Sequence, residues 1–239
     1  ISEASRSTDV ENFEITYYLS GQQLLLLLSL IDQRPVAGLP PVEAPEDWQK
    51  ISLSLFEEGR LYFENGQCAM DQELSALLLT MKDAEQICAI YGKRPSPSAQ
   101  LIYQGKQLTL LELLSDGKNR LRRIEPAEAG QMLMEILMPA YPMPETLLDS
   151  LTENQIISSS LSRWESQSAS LVDSVPLWMQ IPEVVGVLDR WSRGIQTRWI
   201  WIEDMDASLV LFQAQGETRS ILDTASYRRA LLRELRLEV

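Results

Sequence analysis

Hydrophobic and polar residues alternate at the start of the chain. The segment FEITYYL at residues 13–19 has the period of a half-buried strand. A leucine-rich run follows directly, and Ser20 and Gln23 have the spacing of a capping box, which predicts that a helix begins there. Leucines cover most of this helix, so we expect it to lie deep in the core.

A helix, a hairpin and a second helix are predicted next. Apolar residues recur at helical spacing from Trp48 to Leu55. Asn65-Gly66 separates two short runs and suits a type I′ turn, which predicts a hairpin. Asp71 is predicted to cap the following helix. That helix has an apolar stripe formed by Leu74, Leu77, Leu78 and Met81.

Two groups of strand-like segments come later in the chain. EQICAIY, AQLIYQ, QLTLLEL and NRLRRI are joined by short polar links, which favour an antiparallel meander. Pro126 suits the first turn of a helix, so a helix is predicted to follow the meander. QTRWIWIE, SLVLFQA and TRSILD predict a second meander, with a further helix after it.

The segment between the meanders is predicted to be helical. Ile157, Leu161, Trp164 and Leu171 form a heptad-like stripe over one long helix. Pro182 is predicted to open another helix. Its apolar face would carry Val184, Val187, Leu188 and Trp191.

These elements predict an α+β fold with two antiparallel β-meanders flanked by helices. We divide the chain into a flexible tail at 1–12, an N-terminal α+β half at 13–139 and a C-terminal α+β half with a helical subdomain at 140–239. The two halves are expected to form one compact domain. Each half runs helix, meander, helix, so a quasi-twofold arrangement of two related sheets and a chance similarity both stay open.

Charge and composition narrow the classes of function. The chain has 21 basic and 34 acidic side chains, and its formal charge of −13 repels nucleic acid and anionic membrane surfaces. No apolar run approaches the length of a membrane span. Residues 1–12 lack the apolar core of a secretory signal, so we expect a cytoplasmic protein. Cys68 and Cys88 are expected to be buried, reduced thiols.

Histidine is absent from the sequence, which excludes Ser-His and Cys-His nucleophile pairs and the usual zinc sites. We therefore expect no catalytic residue, no metal and no cofactor. Glu203, Asp204 and Asp206 lie together between two strands and are interpreted as a solvated turn rather than a cation site. The arginines at 120, 122 and 123 are expected to pair with acidic groups of this protein or of an acidic partner.

Large apolar residues in and beside the predicted helical region are the candidate partner-binding residues. Aromatic and Met side chains dominate the energetics of protein interfaces, and several occur here outside both meanders. The candidates are Trp164, Leu177, Trp178, Met179, Ile181 and Trp191. Burial of the same residues in the core is the competing interpretation.

The order of these elements resembles a known family. The opening FEITYYLSGQQLLLLLSLIDQRPVAGLP, the LFEEGRLYFENG unit and the paired meanders are together similar to the EspG-like accessory proteins of bacterial type VII (ESX-type) secretion systems. The resemblance implies a quasi-twofold α+β fold and a cytosolic chaperone that binds a helical secretion substrate. It implies no catalytic residue.

Two other classes of function remain as alternatives. One is an enzyme that uses carboxylates, such as Glu57-Glu58 or Glu125 with Glu128, together with Lys82 or Lys93 and a hard cation. The other is a structural subunit that forms a homodimer through Trp199 and Trp201 of the second meander.

Overall fold

The computed structural model describes residues 15–31, 36, 39, 42, 47–92, 98–137, 184–192, 195–204, 207–214 and 220–222. Four helices occur in these ranges: α1 (Gly21–Ile31), α2 (Trp48–Glu57), α3 (Gln72–Lys82) and α4 (Pro126–Leu137). The strands are β1 (Thr16–Ser20), β2 (Leu61–Glu64), β3 (Gln67–Met70), β4 (Gln86–Gly92), β5 (Ser98–Gln104), β6 (Leu108–Leu113), β7 (Lys118–Ile124), β8 (Val184–Ser192), β9 (Ile195–Asp204), β10 (Ala207–Ala214) and β11 (Ser220–Leu222). The predicted α+β fold class is confirmed.

Nine strands form one antiparallel sheet in the order β1-β7-β6-β5-β4-β8-β9-β10-β11, while β2 and β3 form a separate hairpin. Both predicted meanders are present, and the pairing of β4 with β8 joins them. From this central antiparallel pair, β5 to β7 run outward on one side and β9 to β11 on the other. The strand order is therefore quasi-twofold within a single sheet, and the two related sheets that the sequence left open are the two halves of this sheet.

The helix predicted to begin at Pro182 is wrong over residues 184–192, because Val184–Ser192 form strand β8. Val187 and Leu188 are adjacent in sequence and both fully buried, as in a strand covered on both faces. Val184, Val187, Leu188 and Trp191 also fit a helical spacing, so periodicity alone does not separate the two structures. Pairing with Gln86–Gly92 of β4 decides in favour of the strand.

Helices cover both faces of the sheet. On one face, α1 and α3 pack against β5, β6 and β7, and the apolar stripe predicted for α3 is buried there. On the other face, α4 packs against β4 and buries Ala129 and Leu133. No helix in the described part of the chain is long and apolar enough to cross a membrane.

The first strand and helix form as predicted. The side chain of Gln23 accepts a hydrogen bond from the Ser20 amide at 2.8 Å, and the Ser20 hydroxyl accepts one from the Gln23 amide at 3.1 Å. This reciprocal pair is the capping box. Helix α1 is less deeply buried than expected, because Leu24, Leu27 and Leu28 face the core while Leu30 is exposed.

The two cysteines differ in environment. Cys88 is buried in β4, as predicted, but Cys68 is exposed, so the prediction of two buried thiols is wrong for Cys68. The reason is the position of Cys68 in the β2–β3 hairpin, which is not part of the nine-stranded sheet. A two-stranded hairpin has too few neighbours to bury all of its side chains.

Candidate functional site

The predicted partner-binding residues are described only in part. Trp164, Leu177, Trp178, Met179 and Ile181 lie outside the described residues, so their role stays a prediction. Trp191 lies in β8 opposite Ile87 of β4, where it is half-buried and packs against the core. Trp191 therefore has a structural contact of its own, and the predicted helical face that would have carried it does not exist.

Helix α2 carries large apolar side chains that are not buried. Asp47 caps the helix by accepting hydrogen bonds from the amides of Gln49 at 2.9 Å and Lys50 at 3.1 Å. Leu55 is the one fully buried residue of α2. Leu53 is 61% exposed and Trp48 is also exposed. Leu53 lies one helical turn before Phe56 and therefore beside it, whereas Trp48 lies about two turns before Phe56, toward the start of the same side of the helix.

The β2–β3 hairpin extends this apolar side. Asn65 and Gly66 adopt the positive φ angles, 53° and 81°, of the predicted type I′ turn. This turn sets a register in which Phe63 lies opposite Cys68. The Phe63 ring stacks on the Phe56 ring of α2, with 5.0 Å between the ring centroids and 11° between the planes. Phe63 is nevertheless 71% exposed.

We define the α2–hairpin surface by four residues: Trp48, Leu53 and Phe56 of α2, and Phe63 of β2. Three of its four members are exposed large apolar residues, and Phe56 is half-buried. Sequence analysis assigned Trp48 to a helix and Phe63 to a hairpin but proposed no role for either. The pattern that could have revealed the surface is an aromatic residue next to a tight Asn-Gly turn, where a two-stranded hairpin leaves one face uncovered.

A hydrogen-bonded cluster holds the base of the hairpin. The Tyr17 hydroxyl of β1 donates to the Asp71 carboxylate, and Asp71 accepts a further hydrogen bond from the Leu74 amide at 2.9 Å. The Asp71 amide donates to the Arg60 carbonyl at 3.0 Å. The Arg60 guanidinium lies over the Tyr17 ring, 4.7 Å from its centroid. The residues that flank the hairpin are thereby joined to β1 and α3.

Helix α2 is joined to α1 by a second polar contact. The Gln23 side-chain amide donates to the Ser54 hydroxyl at 3.1 Å and to the Glu58 carboxylate at 3.0 Å. Gln23 is buried, so these hydrogen bonds are protected from water. Both elements that carry the α2–hairpin surface are therefore fixed to the core, and the surface is held in place before any partner arrives.

Ionisation of Asp71 makes the stability of this region depend on pH. Burial alone would raise the pKa of Asp71, but the hydrogen bonds from Tyr17 and the Leu74 amide, with the charge of Arg60, hold that pKa below its usual 3.8. Burial and the neighbouring carboxylate raise the pKa of the Tyr17 hydroxyl above its usual range. The cluster therefore contains an ionised carboxylate and a neutral phenol at neutral pH.

We predict that Asp71 stabilises the fold above about pH 4 and that this contribution is lost as the pH falls through the lowered pKa. In Asp71→Asn the side chain still caps α3, because Asn is an equally good N-cap, but it no longer ionises. Urea unfolding at a series of pH values between about 2 and 7 measures the effect. The parent should lose stability more steeply than Asp71→Asn below about pH 4. If the unfolding free energies of the parent and of Asp71→Asn fall equally steeply below about pH 4, the ionised Asp71 carboxylate does not stabilise the fold.

Arginines of β7 form ion pairs with acidic residues of this protein, including Glu125 and Glu128, which were proposed for chemistry. Arg120 forms a bidentate pair with Glu112, with a distance of 2.7 Å from Nη2 to Oε1. Arg122 reaches Glu128 at 2.6 Å, and Arg123 lies 3.7 Å from Glu125. The prediction that the arginines at 120, 122 and 123 pair with acid of this protein is confirmed. The hydrogen bond to Glu112 raises the pKa of Arg120 further above its usual range.

The other acidic candidates do not converge on a described site. Glu58 accepts a hydrogen bond from Gln23 and lies 3.9 Å from the Arg60 guanidinium. Glu203 and Asp204 were predicted to lie in a turn but are the last two residues of β9, where they pair with Ser208 and Ala207 of β10, and Asp206 lies outside the described residues. Within the described residues, no group of three or more Cys, Asp or Glu side chains is placed to hold a metal ion.

The exposed Cys68 provides a natural probe of the α2–hairpin surface. We predict that iodoacetamide modifies Cys68 in the native protein and leaves Cys88 unmodified, because burial raises the pKa of the Cys88 thiol to about 12. The native reaction of Cys88 should be slower by about 100-fold or more. Peptide mass spectrometry measures both sites. In urea both thiols should react, and native Cys68→Ser should be unreactive. Rapid native labelling of Cys88 would contradict this account.

Comparison with family models and with curated proteins does not assign this chain to a family. No family model matches the chain, and no curated protein is significantly similar to it. The resemblance to the EspG-like accessory proteins therefore stays a prediction that depends on the order of the elements and on the quoted segments.

Proposed function

We propose that this protein binds a partner protein through the α2–hairpin surface and acts as a cytoplasmic chaperone or adaptor for a helical client of a type VII-like secretion system. The observation that carries the proposal is the exposed Phe63 ring, stacked on Phe56 at 5.0 Å and continuous with Leu53 on α2. The secretion system itself comes from the resemblance to EspG-like proteins, whereas protein binding is argued from this surface.

Exposed aromatic residues on a fixed scaffold favour binding. Single exposed apolar residues are common on protein surfaces, but contiguous large ones mark interaction sites. Phe63 is restrained by its stacking partner, and α2 is held to α1 through the buried Gln23. Little conformational entropy is then lost when a partner covers these side chains, so more of the hydrophobic gain appears as affinity.

A helical partner fits the shape of this surface. Leu53 and Phe56 lie one helical turn apart on α2, and Phe63 of the hairpin stacks on Phe56, so these three side chains form a short apolar strip. An amphipathic helix recognises such a strip through apolar residues at positions i, i+3, i+4 and i+7. The proposal therefore retains the helical client that the resemblance implies.

The two alternative functions have less support. A carboxylate-dependent enzyme would need acidic groups converging with altered ionisation, yet Glu125 and Glu128 face Arg123 and Arg122. A homodimer through the second meander would need Trp199 and Trp201 at the surface. Both are buried, in the hydrophobic cluster that also contains Ala129 and Leu133 of α4.

Co-expression with helical-hairpin proteins encoded near this gene, followed by size-exclusion chromatography, tests the proposal. We expect one such protein to co-elute with the parent, and Phe63→Ser and Leu53→Ser to lose it. Leu79→Ser is the matched control, because Leu79 is 44% exposed and lies on α3, which carries no residue of this surface. Leu53→Ser and Leu79→Ser should keep the parental stability to within about 0.5 kcal/mol, as exposed substitutions usually do. Phe63→Ser also loses the stacking on Phe56 and should cost about 1 kcal/mol, which leaves the protein folded.

Two outcomes would contradict the proposal. Failure of every such protein to co-elute with the parent would remove the chaperone function. A complex that forms equally well with Phe63→Ser, Leu53→Ser and Leu79→Ser would show that the client binds elsewhere on the protein.

A further inference from the structure

A single turn at residues 58–60 joins the two elements of the α2–hairpin surface, because α2 ends directly before it and β2 begins directly after it. The Arg60 amide donates to the Leu55 carbonyl at 2.8 Å, and the Gly59 amide donates to the Phe56 carbonyl at 3.0 Å. These are the two hydrogen bonds of a Schellman motif, and they require the positive φ angle of 69° that Gly59 adopts. The turn therefore sets the direction in which the hairpin leaves α2.

Polar contacts hold this turn from two sides. From α1, the buried Gln23 side chain donates to the Glu58 carboxylate at 3.0 Å. From β1, the Tyr17 ring lies under the Arg60 guanidinium, and the Tyr17 hydroxyl donates to the Asp71 carboxylate. Within the turn, Glu58 and Arg60 approach each other to 3.9 Å. These five residues form a continuous network from α1 through the turn to the N-cap of α3, which we call the turn clamp.

Gln23 uses both ends of its side-chain amide. The oxygen accepts from the Ser20 amide and caps α1, whereas the nitrogen donates to Ser54 and Glu58 and so holds the end of α2. The substitution Gln23→Glu separates these two contacts. It keeps the cap, because Glu serves as well as Gln at this position of a capping box. It removes the donors to α2, because an ionised carboxylate only accepts hydrogen bonds, and it places a second negative charge beside Glu58.

From this arrangement we infer that Gln23 is a positioning residue: acting through Glu58 and the turn, it keeps α2 aligned with the hairpin and thereby sets the affinity of the α2–hairpin surface for its client. The inference rests on the proposed function and adds the residue that controls the geometry of the docking surface. Stacking of Phe63 on Phe56 requires one relative orientation of the two elements. If only a fraction of the molecules holds that orientation, the apparent affinity falls in proportion to the fraction.

Hydrogen exchange of the free protein at neutral pH, followed by mass spectrometry, tests the turn clamp without a client. We expect Gln23→Glu to speed exchange over residues 55–70 by roughly tenfold, because a hydrogen bond that opposes local opening is lost. Exchange in β5 and β6 should stay at the parental rate. The matched control is Gln22→Glu, which adds the same charge at the neighbouring position of α1, outside the turn clamp, and should exchange as the parent does.

A double variant, Gln23→Glu/Glu58→Gln, distinguishes positioning from a general loss of stability. It remakes the contact with donor and acceptor exchanged, because the new amide on the turn donates to the new carboxylate on α1. Slow exchange over residues 55–70 should therefore return. Unchanged exchange in Gln23→Glu would overturn the inference. So would equal acceleration throughout β5 and β6, or no recovery in the double variant.

Client affinity completes the test and separates this inference from the proposed function. Isothermal titration calorimetry measures binding of the helical-hairpin protein that co-elutes with the parent. Its affinity should fall by roughly tenfold in Gln23→Glu, recover in Gln23→Glu/Glu58→Gln and stay parental in Gln22→Glu. Parental affinity in Gln23→Glu would overturn the positioning role and leave the proposed function intact. Loss of every client from the parent would remove the proposed function itself, and the positioning role with it.

Discussion

Replacing Asp189 by Ala should lower the free energy of unfolding by about 3–5 kcal/mol, one of the largest single-residue effects in the protein. Asp189 of β8 is only 1% exposed and faces Arg198 of β9 in direct register. The Arg198 Nη2 donates to Asp189 Oδ2 at 2.6 Å, and its Nε donates to Oδ1. Removing the carboxylate leaves the Arg198 charge largely buried without its partner.

Most of the lost stability in Asp189→Ala should come from the buried, unpaired charge of Arg198 rather than from the loss of a favourable ion pair. A double variant, Asp189→Leu/Arg198→Met, removes both charges and keeps apolar volume, so it should be markedly more stable than Asp189→Ala. Urea unfolding followed by circular dichroism measures all three proteins. A loss below about 1 kcal/mol in Asp189→Ala would contradict the burial of this pair.

Trp199→Ala should cost about 3–5 kcal/mol, because it removes the largest fully buried side chain of the described protein. Trp199 lies opposite Leu188 of β8 and belongs to the buried cluster that also contains Ala129 and Leu133 of α4. The cavity left behind cannot close without moving the helix or the strands. Leu53→Ala, at an exposed position, should change stability by less than about 0.5 kcal/mol.

The Trp199→Ala variant also distinguishes a core position of Trp199 from a position in a dimer interface. If Trp199 is a core residue, Trp199→Ala unfolds at a lower urea concentration than the parent. The molar mass measured by light scattering then depends on protein concentration in the same way for both proteins. If Trp199 instead mediated self-association, Trp199→Ala would remain as stable as the parent and would change only the oligomeric state. That second result would contradict the complete burial of Trp199 in the core.

Elements specified by local contacts could be predicted from the sequence. The Ser20–Gln23 capping box, the Asn65-Gly66 turn and the Asp71 cap each depend on residues within a few positions of one another. Short polar links also specified the first meander, because they leave its strands no alternative to antiparallel neighbours. The α+β class followed from these elements.

Pairing between distant segments could not be predicted. Strand β8 was expected to be a helix because its buried residues fit a period of 3.6 as well as a strand buried on both faces. Its pairing with β4 joins positions about 100 residues apart, as between Ile87 and Trp191, and no local pattern specifies such a partner. The joining of two meanders into one sheet was missed for this reason.

The α2–hairpin surface was missed for a related reason. Phe63 alternates with polar neighbours as a buried strand residue would, and sequence alone does not reveal that the hairpin lies apart from the main sheet. The same error made Cys68 a predicted core thiol. Periodicity indicates which residues share a face, but whether another element covers that face is decided by the tertiary structure.

The labelling rate of Cys68 shows directly whether a client docks on the α2–hairpin surface. Cys68 lies opposite Phe63 in the hairpin, so a client that covers the α2–hairpin surface must also shield this thiol. The measurement compares iodoacetamide labelling of Cys68 in the free protein and in its purified complex with a co-expressed helical-hairpin protein. We predict that labelling slows by at least about tenfold in the complex, because a packed interface excludes solvent. An unchanged rate in a stable complex would contradict docking at this surface.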